Sequence, residues 1–393
     1  MTSRKQQQLL GLDIQELTAL VGDLGEPSYR AKQLFRALYT ERVESLESIS
    51  TLPKRLREGL GRYELGLPKV DSKFESVDGT VRYLIGLPDG QSVETVWMPE
   101  GDGGEAGDGS EAGTEDTPTL ASRTWGTKRD TKAGTRSFER ATICVSSQVG
   151  CAVSCQFCMT ALLGVQRNLT AGEIVGQILL VLNDHRVDLD TDRINLVFMG
   201  MGEPFLNYVN FMKAVRLLVN GVGIPESRMT VSTAGIVPRI QEFGQETVRP
   251  KLAISLNASS DEVRDRVMPI NRKWNLDALL QAAREFPLRN REKLTFEYVL
   301  LNGVNDGPEN ARELIDLLRG LRCKVNLIAL NPGPEIPFST PQEERVHEFQ
   351  DVLVRAGIPA FIRRPRGRDI YAACGQLKRT REIQPMVSIE PVH

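Results

Sequence analysis

Histidine is nearly absent: the 393 residues contain three, His185, His347 and His393. A histidine-rich metal centre is thereby excluded, and a histidine-based catalytic triad has little to draw on. Cysteine is scarce too, at six residues, which is no disulfide framework for a chain this long. Reducing conditions, with metal or redox chemistry at the cysteines, are the expectation. No apolar run is long enough to span a bilayer, and the opening MTSRKQQQLLGLDIQEL lacks a signal-peptide core. A cytoplasmic protein with no membrane partner is expected. The net charge of −2 excludes a globally basic nucleic-acid binder but leaves room for local basic patches. What is present is ordinary for a globular protein: 40% hydrophobic and 25% charged residues, in a chain long enough for two domains. Chemistry must then rest on cysteines, carboxylates and a cofactor.

Residues 1–99 read as a small, mostly helical accessory domain that ends in strands. The stretch 27–39, PSYRAKQLFRALY, spaces its apolar residues as a helix, with Arg30, Lys32 and Arg36 on other faces. Residues 82–87 and 92–97 form a hairpin pattern around Pro88-Asp89-Gly90. Residues 100–138 break the pattern: GDGGEAGDGSEAGTED is Gly-rich and acidic, and Arg123, Lys128, Arg129, Lys132 and Arg136 follow. So little apolar surface reads as a flexible insertion. In residues 139–393, apolar β-rich runs at 141–146, 194–198, 229–232, 252–256, 294–301, 325–330 and 360–362 alternate with helical patterns. The helices fall at 171–182 (capped by Thr170, with Glu173 three residues on), 208–219, 276–285, 309–318 and 343–356. Repeated βα units predict an α/β fold with a parallel sheet, doubly wound or curved into a full or partial barrel. Functional groups then belong at the C-terminal ends of its strands.

One loop after the first of these strands, GCAVSCQFCMT, carries Cys151, Cys155 and Cys158. Three thiolates on a tight loop can hold three irons of a cubane and leave the fourth open to a small molecule. Zinc would want a fourth Cys or His; Cys144 lies back on the strand and no histidine is local. Merely buried or zinc-binding cysteines are the other reading. The CxxxCxxC spacing resembles the signature of the radical S-adenosylmethionine (SAM) superfamily. That resemblance implies a partial (β/α) barrel and a [4Fe–4S] cluster whose open iron is chelated by SAM. It also implies reductive cleavage of SAM to methionine and a 5′-deoxyadenosyl radical, with Phe157 shielding the cluster. Later loops suit SAM. Gly202 in FMGMGEP permits close backbone approach, and Glu203 or nearby carbonyls can accept from the SAM ammonium. Ser232 in TVSTAG, Ser255, Leu256 and Asn257 in AISLNA, and Asn331 in ALNPGP end successive strands. Each alone is as well read as a cap or turn residue.

Three cysteines remain. Cys323 starts a strand and reads as a small buried apolar residue. Cys144 in TICVSSQVGC precedes the cluster loop, and Cys374 in DIYAACGQL follows the basic run Arg363 to Arg368. In order, CVSSQVGC, the cluster loop, FMGMGEP, VSTAG, SLNA, LNPGP and RRPRGRDIYAACGQL are similar to the RlmN/Cfr family of radical SAM RNA methyltransferases. PSYRAKQLFRALY and VETV extend the likeness over nearly the whole chain. Two departures stand out: the 100–138 insertion replaces a usually short connection, and Asn257 stands where many members have His.

The resemblance implies a chemistry for carbons that offer no nucleophile, C2 and C8 of adenine. Two SAM molecules are used per turnover. Cys374 takes a methyl group from one, and the radical from the other removes a hydrogen from that methyl. The resulting methylene adds to the ring. Glu94, in SVETVWMP, accepts the ring proton, and Cys144 attacks the Cys374 sulfur to release the RNA and leave a disulfide. From residue pattern alone Glu94 is an exposed strand carboxylate. The implied partners are 23S rRNA at the peptidyl transferase centre, tRNA at the adenosine 3′ of the anticodon, and an electron donor such as flavodoxin or ferredoxin. The Arg363–Arg368 run with Arg30, Lys32 and Arg36 would meet phosphates, although a solvated charged face is the plainer reading. Gly367 and Gly375 suggest that the Cys374 segment is mobile. The flanking residues favour the C2 branch over C8 methylation, the antibiotic-resistance activity. A non-catalytic iron–sulfur RNA-binding protein is the rival from another class, but binding alone needs neither Cys144 nor Cys374.

Overall fold

A computed structural model describes residues 7–99 and 140–378. One ten-stranded sheet organises them. It opens as an antiparallel meander, β1 (Lys69–Glu75), β2 (Val81–Gly86) and β3 (Ser92–Pro99), and β3 pairs antiparallel with β4 (Arg140–Cys144). Two short strands, β5 (Gln148–Gly150) and β6 (Val165–Asn168), form a separate ribbon around the cysteine loop. From β4 onward the main sheet is parallel and follows chain order. Its remaining strands are β7 (Arg193–Phe198), β8 (Met229–Thr233), β9 (Lys251–Ser255), β10 (Leu294–Leu300), β11 (Cys323–Ala329) and β12 (Ala360–Ile362). Helices connect them, as a parallel sheet requires. This is the partial (β/α) barrel. The end strands β1 and β12 are bridged by a loop: Gly367 N–H donates to Asp78 Oδ2 at 3.0 Å, and Ser76 Oγ donates to Asp369 Oδ1 at 2.6 Å.

The helix Ala171–Asp184 starts where the sequence says it should. Thr170 Oγ1 accepts from Glu173 N–H while the Glu173 carboxylate accepts from Thr170 N–H, a reciprocal capping box. Every residue from Ala171 to Leu182 is buried, which a helix exposed on one side would not show. The N-terminal segment covers it. Gly172 is what lets that segment in, since a Cβ there would stand 2.2 Å from the Leu10 carbonyl oxygen. The lead-in helices Ile14–Asp23, Tyr29–Tyr39 and Lys54–Leu60 are tied to the same segment. Tyr39 Oη accepts from Gly11 N–H at 2.9 Å and donates to the Leu12 carbonyl at 2.8 Å.

Several elements escape the sequence patterns. β1 is largely exposed and polar, KVDSKFE, and is a strand because β2 pairs with it. The helix expected over 208–219 stops at Leu217 and continues as one π-helical turn, Leu218–Val222. Short helices Val237–Gly244 and Asp261–Val267 are additional. The sheet runs unbroken from β3 into β4, across the proposed division between residues 1–99 and 139–393. The 100–138 insertion lies outside the described residues. Among the described residues no helix is long and apolar enough to cross a membrane.

Candidate active site

The loop between β5 and β6 is drawn tight by its backbone. Cys151 N–H donates to the Gly164 carbonyl (3.2 Å), Cys158 N–H to that of Cys155 (3.2 Å) and Gln156 N–H to that of Val267 (2.9 Å). Ser154 takes the left-handed conformation, φ 58°. Phe157 is buried with Val153, Ala234, Val267 and Met268, and this apolar group packs against all three cysteines. The site that the sequence indicated is assembled here. Cys151, Cys155 and Cys158 line one cavity with Gly202, Glu203, Ser232, Ser255, Asn257, Asn331 and Cys374. Leu256, Glu94 and Cys144 are not on its wall.

The donor set suits a polynuclear iron group better than a single ion. Zinc draws its thiolates to about 2.3 Å from one centre. Among the described residues no three His, Cys, Asp or Glu side chains are grouped to hold an ion in that way. A cubane takes three thiolates and leaves its fourth iron open. Burial pushes the Cys151 thiol up to about 12, and burial with Cys158, Cys151 and Glu203 nearby pushes Cys155 well above the usual thiol range. Such groups ionise when a strongly cationic partner takes them.

The strand-end residues do more structural work than their types suggest. Glu203 is buried, which raises it to about 7, and its two oxygens accept from Phe205 N–H (3.0 Å) and Ala234 N–H (2.7 Å). It fastens the loop after β7 to the loop after β8, so its carboxylate is largely committed before any ammonium arrives. Ser232 and Ser255 share a hydrogen bond, Oγ to Oγ 3.2 Å. Asn257 sits at φ 59°, a conformation Asn tolerates, and its Oδ1 accepts from Val299 N–H at 2.8 Å. Its amide is therefore spent on holding β9 to β10. Leu256 is fully buried and offers only backbone, its carbonyl accepting from Arg264 Nε at 2.9 Å. Gly202 has φ 97°, and a Cβ on it would meet Gln148 Cβ at 2.5 Å. Gly202→Ala should lower stability by about 1–3 kcal/mol, read as an earlier urea midpoint; an unchanged midpoint would contradict the need for glycine.

The Cys374 segment is docked against the cluster loop by hydrogen bonds. Asn331 Nδ2 donates to its carbonyl (3.2 Å), Met159 N–H to the Gly375 carbonyl (2.7 Å) and Thr160 Oγ1 to the Leu377 carbonyl (2.7 Å). Gln376 Nε2 donates to the Pro332 carbonyl at 2.8 Å. The residue is accessible from the cavity, yet the walls desolvate its thiol and push it up, with Arg363 opposing and Glu297 and Cys158 adding to the rise. Cys144, buried at the end of β4, is raised by burial first and next by Cys374, so the two thiols lie within electrostatic reach. The basic run is less open than its composition suggests: Arg364 is exposed, but Arg363, Arg366 and Arg368 are half-buried because their loop docks on the β1–β2 turn. Lys32 and Arg36 are exposed, Arg36 beside Glu41 at 3.0 Å, and Arg30 is half-buried.

Glu94 is a correction to the residue pattern. It is fully buried, not exposed, and is ion-paired with the equally buried Arg82. Two further residues, Glu297 and Arg264, had no signal in the sequence, and Arg363 was read there only as part of a basic run. Glu297 on β10 lines the cavity and accepts from Asn326 Nδ2 at 2.9 Å. Arg363 faces both Cys144 and Cys374 electrostatically. Arg264 is buried, lowered to about 10 by that burial, and donates to the carbonyls of Leu256, Ser255 and Ala234.

Comparison with known proteins gives concordant matches. The Radical SAM superfamily matches residues 145–318, and the ribosomal RNA large subunit methyltransferase N-terminal domain matches residues 7–63. The "Probable dual-specificity RNA methyltransferase RlmN" of Koribacter versatilis is 65% identical, over 91% of this chain and 97% of that protein. The "Dual-specificity RNA methyltransferase RlmN" of Campylobacter jejuni is 41% identical, over 92% and 96%. A radical SAM methyltransferase crystal structure from Sphaerobacter thermophilus superposes with a TM-score of 0.81 at 39% identity, covering 95% of this chain and all of that one.

Proposed function

The chain belongs to the RlmN family of radical SAM RNA methyltransferases, and on that premise we propose that it methylates C2 of adenosine in 23S rRNA and in tRNA through a methylated Cys374. Its cofactors are a [4Fe–4S] cluster and SAM. Cys151, Cys155 and Cys158 would hold the cluster, and the loops at Gly202, Ser232, Ser255, Asn257 and Asn331 would receive SAM. Bound there, the two supply a radical able to take a hydrogen atom from a methyl group. Everything else falls to the chain's own side chains.

Cys374 Sγ is the methyl carrier in this reading. It opens onto the cavity, and Asn331 and the Met159–Gly375 contact fix its backbone beside the cluster loop. Arg363 favours its thiolate, the form that can displace a methyl group from sulfonium. Cys144, protected by burial, is the nucleophile that frees the RNA. Once the adduct has given up its ring proton, and one electron to the redox cofactor, Cys144 Sγ attacks Cys374 Sγ. The S–S bond forms as the S–CH2 bond breaks, and the freed carbon takes up a proton to become the methyl group. Glu94 takes the ring proton from within the barrel. One observation supports the reading above others: Cys374 opens onto the cavity that holds the three-cysteine loop, and Cys144, far from it in sequence, lies within its electrostatic reach. The target adenine must leave its stack to enter so enclosed a site, which favours loop RNA. An electron carrier such as flavodoxin or ferredoxin would supply the reducing electrons.

Anaerobic turnover with rRNA and tRNA fragments, followed by nucleoside mass spectrometry against both methyladenosine standards, tests this. 2-Methyladenosine from both RNAs is expected. Retention matching 8-methyladenosine, or no methylated base from either RNA, would overturn it.

A further inference from the structure

Arg82 on β2 is fully buried. Its guanidinium pairs with Glu94 on β3 and lies 4.3 Å from the centroid of the Phe74 ring on β1. In the β2–β3 register Arg82 stands opposite Val96 and Leu84 opposite Glu94, so arginine and glutamate are diagonal neighbours on one face. Cys144 on β4 is also opposite Val96 and shares that face. The pair thus sits on the same face of the sheet as the resolving thiol.

Burying two charges is costly, and an apolar pair of similar volume commonly serves stability as well. Function gives a better reason. A buried carboxylate with no cation beside it keeps its proton, whereas a proton acceptor has to arrive without one. Arginine suits the task because it stays charged at any working pH. Among the described residues beside the pair, Phe74 is uncharged and burial holds Cys144 as the neutral thiol.

We propose that Arg82 is a positioning residue for the proton-removal step: it keeps Glu94 ionised and aimed within the barrel until the adenine ring proton reaches it. The inference rests on the reading of Glu94 as the proton acceptor.

The test uses the reconstituted holoenzyme with Arg82→Met, which removes the charge and keeps bulk, and Arg82→Lys, which keeps the charge. Infrared difference spectra, each variant minus its Glu94→Gln counterpart, report the protonation of Glu94 without any turnover. A protonated-carboxyl band is expected in Arg82→Met and absent from the wild type and Arg82→Lys. In turnover, Arg82→Met should form 5′-deoxyadenosine within about threefold of wild type while methyladenosine falls about 10²–10⁴-fold, the usual worth of a general base. Arg82→Lys should restore most of that coupling. An ionised Glu94 in Arg82→Met, or methyladenosine and 5′-deoxyadenosine falling together, would overturn the proposal. If Arg82→Met does not fold, Arg82→Lys decides: a protonated Glu94 with normal coupling would sink it. Glu94→Gln that methylates normally would instead overturn the proton-acceptor reading itself.

Discussion

Cys144→Ala protein isolated from cells should carry RNA covalently attached to Cys374, whereas Cys374→Ala should carry none and produce no methylated adenine. The two residues act on opposite sides of one covalent intermediate. Without Cys374 Sγ there is no methyl carrier, so the path stops before RNA is touched. Without Cys144 Sγ the methyl can still be loaded and joined to the ring, but no thiol remains to release it. The adduct is then the end state. Disulfide formation needs the sulfurs at about 2.0 Å. The Cys374 segment is pinned through Asn331, Met159, Thr160 and Pro332, with Cys144 within electrostatic reach. Resolution requires Cys374 Sγ to reach Cys144 Sγ from this docked position. Denaturing electrophoresis with and without nuclease, then peptide mass spectrometry, reads both variants. A Cys144→Ala protein that turns over normally and holds no RNA would refute the resolving role.

Replacing Cys151, Cys155 or Cys158 by Ala should remove most of the iron and the visible iron–sulfur absorbance after reconstitution. Cys144→Ala, Cys323→Ala and Cys374→Ala should keep both. A cubane already has one iron without a protein ligand in this arrangement, and removing another thiolate leaves two. Cys323 is the internal control: it is buried at the start of β11, and burial pushes its thiol up to about 11, away from the cavity wall. Iron analysis and absorbance of all six variants decide the matter. Loss of the cluster in Cys144→Ala or Cys374→Ala would mean that the ligand set has been misassigned.

Much of this site was legible because it is written in loops. The glycines, serines and asparagines after β7, β8, β9 and β11 interrupt apolar strands, and a parallel sheet puts every such interruption at one end. The strands β7 to β12 were legible for the same reason, as β-rich apolar runs between helical patterns. What was hidden depends on register or on pairing across the fold. Glu94 looks exposed in SVETVWMP because alternation marks it as polar; only the diagonal pairing with Arg82 shows how it is buried. Arg264 carries no local signal, and its burial goes with the carbonyls it collects from the ends of β8 and β9. β1 carries no apolar periodicity and owes its extended form to β2. Glycines at 367 and 375 suggested mobility, but composition does not register the hydrogen bonds that their neighbours make. The Asn257 side chain shows the converse: read as a strand-end group for SAM, it gives its oxygen to Val299 N–H.

The route of the methyl carbon tests the account most directly. Turnover with SAM trideuterated in its methyl group would load Cys374 with a fully deuterated methyl. Taking one hydrogen isotope from it moves one deuterium into 5′-deoxyadenosine and leaves two on the carbon that joins the ring. Mass spectrometry should therefore find a product methyl with two deuteria and 5′-deoxyadenosine with one. A product methyl retaining all three, with unlabelled 5′-deoxyadenosine, would mean direct transfer and would contradict a methylated Cys374 as the source.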